Sequence, residues 1–116
     1  MRLIIIALVM LVAPVFAASP VVGLWKNVEQ NKVTLIRTYE EGGLLKGKVE
    51  KTGKEIIWDM KRETKDGTKW ISGRMVDPDN DRIFNCVIET TDGGKTLIVK
   101  ASLALMSKTQ TWTRVQ

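Results

Sequence analysis

Apolar and polar residues alternate along most of this chain. The alternation is clearest over residues 44–51 and 82–90, where every second side chain is apolar or small. A period of two places one set of side chains on a buried face and the other in solvent, as in a β-strand. Groups of Gly, Asn, Asp or Pro separate these segments and mark chain reversals. The pattern therefore predicts an all-β meander without a helix.

Eight such segments follow one another. The predicted strands span residues 21–28, 33–40, 44–51, 55–63, 69–76, 82–90, 96–103 and 108–115. Consecutive strands with one apolar face are predicted to close into an antiparallel up-and-down barrel, because closure removes the unpaired edges. A barrel of this size is filled by side chains or holds one small ligand, so any cavity is expected to be modest.

The first residues have the features of a signal peptide. Met1 and Arg2 precede an apolar run over residues 3–12, Pro14 breaks that run, and small residues lead up to Ala17. The run of about ten residues is too short for a membrane-spanning helix. We expect residues 1–17 to be a cleaved signal peptide and 18–116 a single barrel domain. The protein is then periplasmic or secreted, with no membrane span after cleavage.

The charge pattern argues against nucleic-acid binding. The 116 residues include 18 Lys and Arg and 13 Asp and Glu. Loss of Arg2 with the signal peptide would leave 17 basic residues and a net charge of +4. Lys and Glu are interleaved, notably over residues 46–55, which is typical of a solvated sheet face. We therefore expect no nucleic-acid partner.

Cys86 is the single cysteine, so the chain has no internal disulfide. Its position between Phe84 and Ile88 at period two favours a buried, small apolar residue. A reactive or intermolecular thiol is the alternative.

The sequence has no histidine, which removes the commonest general base and metal ligand. No Ser or Cys nucleophile has an identifiable partner, and no carboxylate pair follows from spacing. The segment 77–81 has three Asp residues but lacks a bidentate glutamate at calcium-loop spacing, so a proline-initiated turn is favoured. We expect no catalytic residue, no metal site, no cofactor and no enzymatic activity.

The two ends of the predicted barrel carry matching aromatic and basic residues. Gly23 and Trp25 begin the first strand, and Trp112 and Arg114 lie in the last. Because the first and last strands are neighbours in a closed barrel, Arg114 can lie across the Trp25 indole as a cation–π contact. This arrangement resembles the structural signature of lipocalin-like (calycin-like) barrels. In the alternative interpretation, Trp25 and Trp112 are only core aromatics.

Further landmarks extend the resemblance over nearly the whole chain after residue 17. They are residues 20–25, 37–40, 47–49, Trp70 with Gly73, 77–80, 92–97 and 109–115. This ordered series resembles the bacterial domain-of-unknown-function family 2147, small exported proteins with a lipocalin-like barrel. The resemblance implies a fold and a compartment but no activity. The glycine-rich stretch that the family has before its final strand is replaced here by residues 101–107.

The chain has more apolar residues than its turns and solvated strand faces require. These ligand or partner candidates are Trp58, Met60, Met75, Leu103, Leu105 and Met106. They belong either to the core with a tucked loop at 103–106, or to a ligand mouth or partner patch. The first hypothesis is a binding protein for a small apolar or amphipathic ligand. The second is an envelope protein-binding barrel, an inhibitor or assembly factor, that acts through its loops and has a filled interior.

Cavity size distinguishes the two hypotheses. A cavity of at least about 300 Å³ lined by Trp58, Met60 and Met75 would favour the ligand carrier. A solid core with an exposed apolar rim would favour the protein-binding barrel.

We predict that the exported chain begins at Ala18, because Val15 and Ala17 fit the small-residue rule for cleavage. Intact-mass analysis of protein recovered from the envelope or medium would measure this. A mass that still includes residues 1–17 would contradict the assignment.

Overall fold

The computed structural model describes residues 19–116, in which eight antiparallel strands close into a barrel in sequence order. The strands are β1 (Gly23–Glu29), β2 (Lys32–Glu41), β3 (Leu44–Val49), β4 (Glu55–Arg62), β5 (Lys69–Val76), β6 (Ile83–Thr91), β7 (Thr96–Leu103) and β8 (Met106–Arg114). A short 3-10 turn, Asp92–Gly94, links β6 to β7. The predicted signal peptide, 1–17, lies outside the described residues. In residues 19–116, no helix has the length and apolarity needed to cross a membrane.

The predicted all-β up-and-down barrel is confirmed, and β5 and β7 have the predicted bounds. The apolar connection before the last strand was predicted to be longer than it is. Leu103 and Met106 pair with each other across a turn of only two residues, Ala104 and Leu105. Ala104 takes the left-handed backbone conformation there, with a φ of 55°. Neither turn residue is Gly, Asn or Asp, the residues that usually mark such turns, so this turn has no signal in the sequence.

The turns divide between the two ends of the barrel. The turns at 30–31, 50–54, 77–82 and 104–105 lie at one end, which we call the open end. The turns at 42–43, 63–68 and 92–95 lie at the other, which we call the closed end. Residues 19–22 and 115–116 also lie at the closed end, so both ends of the described chain meet there.

Large side chains fill the barrel towards the closed end. Trp25, Trp70 and Trp112 are fully buried, together with aliphatic residues from the strands around them. The ladders of β3 with β4 and of β5 with β6 are irregular, and Asp59 and Ser72 have positive φ. Such irregularities re-aim side chains.

Gly73 accommodates one of these re-aimed side chains. A Cβ atom at Gly73 would lie 2.2 Å from Cγ of Met60, so the glycine leaves the space that the buried Met60 occupies. Because of this packing, Met60 is part of the buried core and does not contribute to a surface site.

The closed end depends on Arg114. Its guanidinium carbon lies 4.3 Å from the centre of the Trp25 ring, as the sequence predicted. The same guanidinium donates hydrogen bonds to four backbone carbonyls, those of Pro20, Val22, Gly94 and Gln116. A Cβ atom at Gly23 would lie 2.3 Å from the Arg114 Nη1 atom, which explains the glycine two residues before the tryptophan.

A second arginine–tryptophan pair holds the other side of the closed end. The Arg62 guanidinium carbon lies 5.2 Å from the Trp70 ring centre, and Arg62 Nη2 donates a hydrogen bond of 2.9 Å to the Ser19 hydroxyl. The Ser19 hydroxyl donates in turn to Glu40 at 2.7 Å. Residues 19–22 therefore run from this pair to the carbonyl contacts of Arg114. Neither the alternation nor the turn residues of the sequence predict this second pair.

Replacing Arg114 with Ala should lower the free energy of unfolding by about 1–3 kcal/mol, through loss of the cation–π contact and of hydrogen bonds to carbonyls. Chemical denaturation measures the change. Arg82→Ala is the matched control, because Arg82 is exposed and its side chain has no hydrogen bond or ion pair among residues 19–116. An unchanged denaturation midpoint for the Arg114 variant would contradict its role in closing the barrel.

Cys86 is buried in β6, between Gly73 of β5 and Ala101 of β7. Burial raises the pKa of the Cys86 thiol from 9.0 to about 12.

Because the thiolate is the reactive form, the folded protein is expected to be inert to Ellman's reagent at pH 8 and to react fully in guanidinium chloride. The raised pKa also means that stability contributed by the protonated thiol is present below pH 9 and is lost as the pH rises towards 12. Rapid reaction of the native protein would contradict this burial.

Candidate functional site

A cavity of about 450 Å³ occupies the open end of the barrel. Its inner part is apolar and includes Ile36, Ile56, Met75, Phe84, Val99 and Trp112. Its mouth is polar and includes Glu29, Lys32, Asp77, Asp79, Lys108 and Gln110. A cavity of this composition presents an apolar surface at depth and hydrogen-bonding groups at the entrance.

The cavity exists because small or polar side chains replace the tryptophans towards the open end. On β7, Ala101 follows Val99 on the inward face, and on β1 the inward Asn27 follows Trp25. Thr34 lies opposite Asn27 on β2 and also lines the cavity. These side chains are too small to meet across a barrel of eight strands, so the space between them stays open.

The barrel wall is incomplete beside this cavity. β8 pairs with β7 from Thr96–Thr113 to Leu103–Met106, but it pairs with β1 only at Trp25–Arg114 and Lys26–Thr113. Beyond these pairs, towards the open end, β1 and β8 separate. We call this gap the seam. Side chains from both of its edges line the cavity, so the cavity reaches the seam as well as the mouth.

Side chains rather than backbone hydrogen bonds join the two edges of the seam. Lys108 Nζ lies 3.1 Å from a Glu29 carboxylate oxygen, and the Gln110 amide donates to the other Glu29 oxygen at 3.1 Å. The Gln110 carbonyl oxygen accepts a hydrogen bond of 2.9 Å from the Trp112 indole. A polar chain thus runs from the cavity floor at Trp112 to the mouth at Lys108.

A further ion pair crosses the mouth. Lys32 Nζ in β2 lies 2.5 Å from the Asp79 carboxylate in the turn between β5 and β6. The hydrogen bond to Asp79 raises the pKa of the Lys32 ammonium above its ordinary value. Both side chains are more than half exposed, so the pair is weak and a ligand can displace it.

The described residues offer no metal centre. Within residues 19–116, no group of three His, Cys, Asp or Glu side chains is placed to hold a metal ion. The Asp77 side chain instead accepts a hydrogen bond from the Asp79 backbone at 2.9 Å, and Asp81 pairs with Lys54 at 2.7 Å.

Of the six candidate residues from the sequence, the structure brings only Met75 to the cavity. Met60 is fully buried in the core, and Trp58 is partly buried and packs against that core. Leu103 is half-buried near the open end, while Leu105 and Met106 are exposed at the β7–β8 turn. Trp112, selected from the sequence as a structural residue, forms part of the cavity floor.

The polar lining of the cavity was not predicted from the sequence. A signal was present in β8, where the inward positions change from Lys108 to Gln110 to Trp112. The inward positions of β1 change in the same direction, from Glu29 to Asn27 to Trp25. Polar residues at inward positions of two neighbouring strands indicate a wet, open end of a barrel.

Comparisons with known proteins agree with this architecture. Residues 50–114 match a family model described as "Uncharacterized protein conserved in bacteria (DUF2147)". Among solved structures, the chain is similar to HP1028 from Helicobacter pylori, which is described as belonging to the lipocalin family. The TM-score is 0.69 at 14% sequence identity, and the alignment covers 83% of each chain. At this identity the similarity concerns the fold alone. The sequence has no significant match among curated proteins.

Proposed function

The chain belongs to the bacterial family DUF2147, and we propose that it is a non-enzymatic binding protein that holds one small apolar or amphipathic ligand in the open-end cavity. The cavity is the observation that carries this proposal. Its volume of about 450 Å³ lies in the range of small-molecule sites. Eight-stranded lipocalin-like barrels are also wide enough to enclose one small ligand.

The lining indicates how such a ligand would be held. Phe84 and Trp112 offer aromatic surface to the cavity, where removal of apolar area from water supplies most of the binding energy. The ligand's polar group would lie at the mouth, against the Gln110 amide and the Glu29–Lys108 pair. The change from apolar side chains inside the cavity to polar side chains at its mouth suits an amphipathic molecule with an apolar body.

The proposed setting is the periplasm or the extracellular space. It rests on the signal-peptide pattern of residues 1–17 in the sequence. A carrier in that compartment would meet ligands released from, or destined for, the cell envelope.

The alternative function, an envelope inhibitor or assembly factor, requires a filled barrel that acts through its loops. Exposed apolar residues at the β7–β8 turn favour that alternative. The cavity volume supports the carrier, because it is larger than about 300 Å³. Of the three lining residues expected from the sequence, Met75 lines the cavity, whereas Trp58 and Met60 pack in or against the core.

Ala101→Phe should abolish binding of the fluorescent probe 1-anilinonaphthalene-8-sulfonate, because the added ring would fill the cavity beside Val99 and Lys108. The matched control is Ser102→Phe, since Ser102 is the next residue along β7 and is exposed on the outer face. The probe's fluorescence gives the dissociation constant of each variant. We expect wild-type affinity for Ser102→Phe and at least a roughly tenfold loss for Ala101→Phe.

Native mass spectrometry of protein purified from the envelope provides an independent measurement. A retained molecule of less than about 1 kDa that is absent from Ala101→Phe would support the carrier. Equal probe binding by both variants, or a retained protein partner in place of a small molecule, would contradict the proposal and favour the alternative.

A further inference from the structure

Exposed apolar side chains are concentrated at the open end. Within residues 19–116, the exposed large apolar residues are Val28, Val33, Ile83, Leu105, Met106 and Val115. All except Val115 lie near the open-end turns. Leu105 is fully exposed at the tip of the β7–β8 turn, and Met106 beside it is 53% exposed. Apolar residues at a protruding tip contribute nothing to the core and favour contact with another apolar phase.

The strands behind this tip carry an excess of positive charge. The whole β7–β8 hairpin, residues 96–114, contains Lys100, Lys108 and Arg114 but no acidic residue. In contrast, the complete sequence has 13 Asp and Glu. On the neighbouring β1, Lys26 is exposed on the outer face. Among the ion pairs within residues 19–116, none involves Lys26 or Lys100.

We define the seam face as the outer surface of β7, β8 and β1 together with the tip at Leu105 and Met106. The outer positions of the three strands are apolar, Ser or Thr, or lysine. They are Ile98, Lys100 and Ser102 on β7, Ser107, Thr109, Thr111 and Thr113 on β8, and Lys26 and Val28 on β1. The outward positions carry no carboxylate, and the Glu29 carboxylate at the seam is paired with Lys108. A face of this kind, ending in an apolar tip, is complementary to a surface that is anionic outside and apolar below.

We propose that the seam face docks onto an anionic phospholipid bilayer. Leu105 and Met106 insert at the boundary between head groups and acyl chains, where amphipathic elements lie about 5–10 Å deep. Lys100 and Lys26 remain at the level of the anionic head groups, where each basic residue near the surface adds attraction. An acidic protein would satisfy the lysines equally, but Leu105 lies fully exposed at the tip of a turn, a placement that suits insertion into the acyl-chain boundary of a bilayer.

Docking also has a geometric consequence for the cavity. The seam lies in the docked face, and residues from both its edges line the cavity. The docked barrel therefore presents its incomplete wall to the lipid. This inference goes beyond the proposed function and does not depend on it, because docking and ligand binding are measured separately.

Co-sedimentation with vesicles tests the docking. The full exported chain is mixed with vesicles of equal parts phosphatidylglycerol and phosphatidylcholine, or of phosphatidylcholine alone. Wild-type protein should sediment with the anionic vesicles, less with the neutral ones, and less as salt screens the charges. The double variant Leu105→Ser, Met106→Ser should lose at least roughly tenfold in partitioning, since two apolar side chains no longer leave water. Its denaturation midpoint should be unchanged, because Leu105 is fully exposed and Met106 half-exposed.

Matched controls separate the seam face from general surface effects. Val115→Ser removes an exposed apolar residue at the closed end and should leave partitioning unchanged. Lys100→Glu should weaken binding to the anionic vesicles, whereas Lys65→Glu, in an exposed closed-end turn, should not.

Three results would overturn the proposal. They are no binding to anionic vesicles, equal binding by the double-serine variant, or equal loss for the two glutamate variants. Retention of an acidic protein without vesicle binding would assign the face to a protein partner instead. Probe binding in solution by the double-serine variant, measured in parallel, reports on the cavity alone, so failure of docking and failure of the carrier function are distinguishable.

Discussion

The stacking of Arg114 on Trp25 is the contact on which the closed barrel depends. The ladder between the first and last strands consists of Trp25–Arg114 and Lys26–Thr113, and backbone hydrogen bonds of Leu24 with Val115 and Gln116 extend it at the closed end. The Arg114 side chain supplements this short ladder by binding carbonyls of the leading segment, of the chain end and of the turn before β7. One half-buried cation thus joins three parts of the chain that are distant in sequence. Charged donors to backbone carbonyls form stronger bonds than neutral donors, which suits a single side chain to this role.

The two ends of the barrel differ because their inward side chains differ in size. Three tryptophans and two arginine–tryptophan contacts fill the closed end. Towards the open end, Ala101, Thr34 and Asn27 occupy the inward positions and leave a cavity of about 450 Å³. Stability is therefore concentrated at one end, and the other end is free to be shaped for binding. The seam adds to the difference between the two ends, because backbone pairing between β1 and β8 is present only near the closed end.

The polar groups around the cavity are mutually paired. Glu29 binds both Lys108 and Gln110, and Lys32 binds Asp79 across the mouth. Exposed pairs of this kind contribute little to stability, so a ligand can replace them at small cost. The lipocalin-like fold accounts for the presence of a cavity, whereas the identity of its lining decides what the cavity can hold.

The sequence by itself determined the eight strands, their order, the buried state of Cys86 and the Trp25–Arg114 contact. Period-two alternation and turn chemistry are local properties, and closure makes the terminal strands neighbours, so no distant contact had to be known. The size of the cavity, the seam, the Arg62–Trp70 pair and the two-residue turn at Ala104–Leu105 were decided by tertiary structure. Trp58 and Met60 show the reason, because irregular ladders around β4 and β5 re-aim their side chains away from the direction that strict alternation predicts. Which inward residues meet and which leave a space depends on strand register and separation, and these are properties of the closed barrel rather than of any one strand.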